Sequence, residues 1–125
     1  MRPELDLISD WIRPGARVLD LGCGDGALLA YLQAQRQVSG YGLEIDTANI
    51  VKCIQAGVNV IHADLEAGLA DFGDRSFDYV IMTQTLQAVK HTERLLDEML
   101  RVGRQGIVPF PNFGFWRCRM QIALQ

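Results

Sequence analysis

Val18-Leu19-Asp20-Leu21-Gly22-Cys23-Gly24-Asp25-Gly26 is the stretch whose reading decides the fold. Arg17 to Leu21 is a short, mostly apolar run that closes on a glycine cluster. Ala27-Leu28-Leu29-Ala30-Tyr31-Leu32 follows, all good helix formers or apolar residues. The order is that of a buried strand, a tight turn and a helix, the first half of a βαβ unit. Glycines let the turn take positive φ and let a ligand approach the backbone. The helix start after Gly26 offers N–H groups to a negative group.

Spacing narrows the ligand. A dinucleotide fingerprint is G-x-G-x-x-G, its third glycine packing helix on strand. Here the glycines fall at 22, 24 and 26, so the third comes one residue early. Asp20 stands two residues before the first of them. Its carboxylate repels a pyrophosphate and suits an ammonium or sulfonium charge. Leu19 to Gly26 closely resembles motif I of the class I S-adenosylmethionine (SAM)-dependent methyltransferases. The structural alternative is a turn that uses its glycines for geometry alone.

Composition is that of an ordinary globular chain. The 125 residues suffice for one domain with a real core, expected to span 1–125. Hydrophobic residues make up 49% and charged ones 22%, with a net charge of −3. There is no Lys/Arg block, so a nucleic-acid surface is not expected. Cys23, Cys53 and Cys118 are odd in number and far apart in sequence. They fit neither a disulfide framework nor a zinc site, and they suit a reducing cytoplasm. Arg2, Pro3, Glu4 and Asp6 do not make a signal peptide, and no apolar run is long enough to span a bilayer. The expectation is a cytoplasmic protein without nucleic-acid, membrane or metal partners.

The rest of the chain continues the alternation. Leu5, Ile8, Trp11 and Ile12 recur at helical spacing, ended by Pro14-Gly15. That first helix is expected over the cofactor end of the sheet. Strand one is Ala16 to Leu21, helix A runs from Gly26 to Gln35, and Val38 to Ile45 is the second strand. Glu44, at its end, is placed to accept hydrogen bonds from ribose hydroxyls, with a solvated strand-end acid as the plain alternative. Asp46 or Thr47 caps a helix through Ala56 that Gly57 stops. Asn59 to His62 is a third strand, Leu69 to Asp74 a loop or short turn, and Ser76 to Met82 the fourth strand. Asp78 reads as structural. Thr83 to Val89 lies at the carboxyl end of that strand, where Gln84, Thr85 and Gln87 can orient a substrate but none is a strong base. His91 to Arg101 is an amphipathic helix, Gly106 to Phe110 the fifth strand, and Arg117 to Leu124 reads as helical after an aromatic loop. The fifth strand would then be a sheet edge, which invites self-association.

Across its length the chain resembles the methionine biosynthesis protein MetW family. Tyr41 to Asp46, Asn59 to Ile61, Met82 to Gln87 and above all Phe110 to Arg117 carry the resemblance. It implies an α/β, Rossmann-like class I methyltransferase sandwich with a mostly parallel sheet, here C-terminally incomplete and short of the family's last two strands. It implies SAM or S-adenosylhomocysteine (SAH) as cofactor. The residues it assigns to that cofactor are Asp20, Gly22, Cys23, Gly24, Gly26, Glu44, Ile45, Asp64, Leu65 and Thr83, with Asp64 receiving the adenine amino group. No catalytic residue is assigned, because Gln87-Ala88 stands where many relatives carry a Glu-His pair. The resemblance also implies a role beside the homoserine O-acyltransferase of methionine synthesis, as an activating partner. The competing classes are an active methyltransferase on a small acceptor and, less favoured by Asp20 and the glycine spacing, an NAD-dependent dehydrogenase.

Overall fold

The computed structural model describes residues 3–65, 67–83, 92–110 and 114–119. Helix α1 is Pro3–Trp11, strand β1 Arg17–Leu21, helix α2 Ala27–Arg36 and strand β2 Ser39–Glu44. Helix α3 is Thr47–Gln55 and strand β3 Val60–His62, followed by a single 3-10 turn at Gly68–Asp71. Strand β4 is Phe77–Met82, helix α4 Thr92–Val102, strand β5 Gly103–Phe110 and strand β6 Gly114–Arg119. The strands form one sheet in the order β3-β2-β1-β4-β5-β6, parallel from β3 to β5 and antiparallel at β6.

Local chemistry explains the elements. Leu28, Leu29 and Leu32 give α2 one buried face, and Gln37 closes it in the left-handed conformation (φ 53°) with its N–H on the Gln33 carbonyl. Asp46 caps α3 by accepting from the N–H groups of Ala48 and Asn49, 2.8 and 3.4 Å away. The parallel strands are buried on both faces, as crossover connections require. Val18, Tyr79, Ile81 and Ile107 pack with α1, α2 and α3 on one side. Leu19, Leu21, Leu43, Val80 and Met82 pack with α4 and the 3-10 turn on the other. The result is a three-layer sandwich.

Two expectations are corrected. Residues 114–119 are a strand, not part of a helix beginning at Arg117, and they pair with 105–110 of β5 in the register Gln105↔Arg119 to Phe110↔Gly114. The fifth strand is therefore covered on both sides. It also starts earlier than expected, at Gly103. Helix α1 lies along α2 rather than over the carboxyl ends of the strands. Tyr31 donates to Asp6, Arg36 donates to the Ser9 carbonyl at 3.0 Å, and the Arg13 N–H reaches the Tyr79 hydroxyl at 3.1 Å. Asp78 is structural as expected, pairing with the Arg13 guanidinium at 3.1 Å and accepting from the Arg17 N–H at 2.9 Å.

Candidate cofactor site

Strand order reverses between β1 and β4, so the carboxyl ends of β1, β2 and β4 frame a crevice where ligands of open α/β sheets bind. Leu21 is level with Leu43 and Met82, and Glu44 with His62, so the strands end together. Gly22, Gly24 and Gly26 all have positive φ, at 65°, 59° and 85°. At Gly24 and Gly26 an L side chain costs about 1–2 kcal/mol. The loop bends back on itself, the Gly26 N–H meeting the Cys23 carbonyl at 3.0 Å.

Two buried acids face this loop. Asp20 is 1% exposed, and its Oδ1 has no hydrogen-bond partner. Burial, with the nearby charge of Glu44 adding to it, pushes its carboxyl up to about 8. Glu44 is 6% exposed, and each of its carboxyl oxygens accepts one backbone hydrogen bond. Its Oε1 accepts from the Gly24 N–H at 2.7 Å and its Oε2 from the Asp46 N–H at 3.0 Å. Each carboxylate oxygen has a second lone-pair site, so the group can still accept from a diol. One side chain thus fixes the height of the glycine loop against the end of β2.

The remaining assigned residues divide. Ile45, 59% exposed, follows Glu44 directly and presents an apolar side chain beside the crevice. The Ala63 N–H bonds the Glu44 carbonyl at 3.1 Å, which brings the β3 end, and with it Asp64 and Leu65, against β2. Asp64 is exposed and Leu65 half-buried. Thr83 is exposed one residue past β4. The Cys23 side chain points away from the crevice into the core, and its N–H is held by the Leu43 carbonyl at 3.0 Å. Gln84 to Val89 and His91 lie outside the described residues.

Three contributors were not singled out from sequence. Asp25 accepts from the Ala27 N–H at 3.0 Å, so an acid occupies the start of α2 where a pyrophosphate would sit. Gly42 makes room for Cys23, since a Cβ there would lie 2.4 Å from the Cys23 sulfur. Cys53 supports the loop from α3, its thiol donating to the Gly24 carbonyl at 3.2 Å. Nothing in the local sequence of α3 marks Cys53; only the tertiary packing does. A separate cavity of about 310 Å³ opens on the α4 side, between Leu65, Leu69, Arg94 and Leu95, and includes none of the glycine loop. Among the described residues no His, Cys, Asp or Glu cluster suits a metal ion, and no helix is long and apolar enough to cross a membrane.

This architecture is shared with solved proteins. A TehB-like SAM-dependent methyltransferase from Corynebacterium glutamicum superposes with a TM-score of 0.72 at 24% identity, over 90% of this chain and 64% of that one. A SAM-dependent methyltransferase from Thermotoga maritima gives 0.68 at 26% identity, over 84% and 48%. The fold is therefore that of the Rossmann-like class I methyltransferases. Within that class, the chain belongs to the methionine biosynthesis protein MetW family, whose model matches residues 2–125. It is 43% identical over 120 residues to a bifunctional methionine biosynthesis protein MetXA/MetW of Rhodopirellula baltica, covering 90% of this chain and 19% of that protein. It is also 35% identical over 96 residues to a phthiotriol/phenolphthiotriol dimycocerosates methyltransferase of Mycobacterium ulcerans, 35% of whose length it spans. The chain is thus a methyltransferase-like protein associated with methionine biosynthesis.

Proposed function

We propose that this protein binds SAM or SAH in the crevice and acts in the cytoplasm as an activating partner of a homoserine O-acyltransferase. The observation that carries the cofactor assignment is the buried, unpartnered Asp20 oxygen at the switch point. A buried carboxylate without a partner is costly, and a cationic ligand group relieves it. SAM carries both an ammonium and a sulfonium, and SAH keeps the ammonium. Glu44 would take the ribose hydroxyls, Ile45 and Leu65 the faces of the adenine, and Asp64 its amino group. The backbone of Gly22 to Gly26 would line the amino-acid portion, with Thr83 closing the β4 side.

When bound, SAM supplies an electrophilic methyl group that needs little activation. The chain's own residues then have to bind, align and exclude water. No base was assigned after β4, which favours a binding and regulatory role over catalysis. The partnership is supported by the Rhodopirellula relative, whose name joins MetXA to MetW in one polypeptide. Fusion of two activities in one chain raises their effective concentration for each other, as expected of partners.

The test has two arms. Calorimetry with SAM, SAH and NAD should show binding of the first two and none of the third. Acyltransferase turnover should rise when this protein is added. Methyl transfer to metabolites from labelled SAM, with no change in acyltransferase rate, would instead establish the enzyme.

A further inference from the structure

Two thiols face each other beneath the glycine loop. Cys23 of the loop and Cys53 of α3 are both free and buried, their sulfurs 3.6 Å apart. Glycines make the slot they share. A Cβ on Gly42 would stand 2.4 Å from the Cys23 sulfur, and one on Gly26 3.1 Å from the Cys53 sulfur. Cys53 also bonds the carbonyl of Gly24, the residue whose N–H is held by Glu44. The thiol pair and the cofactor cradle therefore share one peptide segment.

We propose that Cys23 and Cys53 are an oxidative modification site, forming an intramolecular disulfide with peroxide, and that this bond reshapes the cofactor loop. The effect on cofactor rests on the binding assigned above; the disulfide does not. One thiolate attacks a peroxide oxygen, breaking the O–O bond and giving a sulfenic acid and a hydroxide, which takes up the proton the thiol released and becomes one water. The second thiolate attacks that sulfur, forming the S–S bond and expelling hydroxide, which takes up a proton as the second water. Two thiols lose two hydrogens and two electrons in all, and hydrogen peroxide becomes two waters. The sulfurs must approach by about 1.5 Å, to the usual bond length. Cys53 then has no hydrogen for the Gly24 carbonyl, and the loop is tied to α3 by a covalent bond. Burial pushes both thiols above the usual thiol range. Thiolate is therefore scarce and the reaction slow, so the pair answers sustained rather than brief oxidation.

The experiment uses the full chain with Cys118→Ser, which leaves Cys23 and Cys53 as its cysteines. After hydrogen peroxide, mass spectrometry should show loss of two hydrogens and a linked Cys23–Cys53 peptide. Amide exchange at Gly24 and Asp25 should change, and SAH affinity should fall about 10-fold, all restored by dithiothreitol. Cys53→Ser in the same background should show none of these, and Cys23→Ser serves equally if that variant misfolds. Sulfinic or sulfonic products without a linked peptide overturn the proposal, as does a linked peptide with unchanged loop exchange. Should the reduced chain bind no SAH, the cofactor assignment fails, while mass and exchange still decide the switch.

Discussion

Asp20 sets the electrostatics of the crevice. With its carboxyl raised to about 8, the folded state holds a proton that the unfolded chain releases near the usual value of 3.8. The folded state is favoured in acid, and that contribution is lost as pH climbs from about 4 towards 8. Thermal melts should show this decline in the parent and a flatter profile in Asp20→Asn. A cation in the crevice lowers the same pKa, so SAM binding near pH 7 should release a proton. Calorimetry in buffers of different ionisation enthalpy measures that release, and Asp20→Asn should abolish it. Glu44 works differently, holding the Gly24 and Asp46 N–H groups with its two carboxyl oxygens. Charge-assisted hydrogen bonds contribute about 1.5–3 kcal/mol, so Glu44→Ala should weaken SAH binding by roughly 10- to 150-fold. Unchanged affinity in a folded Glu44→Ala chain removes that residue from the site.

Among the elements, α4 carries Arg101, the described side chain with the most partners. Arg101 donates to the carbonyls of Phe72 and Leu69 at 2.8 and 2.9 Å and pairs with Asp74 at 2.9 Å and Glu98 at 2.6 Å. It joins the segment between β3 and β4 to the helix that covers β4. Because Asp74 is exposed, its pair with Arg101 adds little; the hydrogen bonds to the two carbonyls matter more. Arg101→Ala should cost about 2 kcal/mol, and Arg101→Lys much of the same, because one ammonium cannot span all four partners. Urea unfolding monitored by circular dichroism measures both. At this scale the sequence was readable wherever one element buries its own face: the leucines of α2, the cap at Asp46 and the apolar run of β4 were all visible. Strand β6 was not, because Gly114 to Arg119 is too short to mark itself in sequence and becomes a strand by pairing with β5. Gly103 to Gln105 were missed for the same reason, their strand character coming from Phe77 and Tyr79 alongside.

At the scale of the whole molecule, the sheet order explains why the acids were legible and their support was not. Asp20 is the penultimate residue of β1, Glu44 the last of β2, and Asp64 lies two residues past β3, and a parallel sheet with crossover helices brings strand ends to one side by rule. Their positions follow from chain order alone. The thiol of Cys53 meets the loop only because α3 packs at a particular depth, which no periodicity encodes. Among the described residues no strand pairs with the outer edge of β6, so association is expected there rather than at β5. The chain should therefore self-associate with rising concentration in light scattering. A chain that stays monomeric across the concentration range would remove this expectation.

The central position of β1 bears on how the chain is made. Val18 pairs with Gly40 on one side and Tyr79 on the other, so its second neighbour is synthesised 61 residues later. At ribosomal speeds of about 5–20 residues per second, that is a wait of several seconds. Throughout it, the apolar strand that later lies innermost has one flank open. Such a nascent chain is a natural client for a chaperone, and a stall before Phe77 should raise its aggregation. Ribosome-bound chains arrested on either side of β4, compared for protease resistance at β1, should show protection arriving only after Met82 has left the exit tunnel.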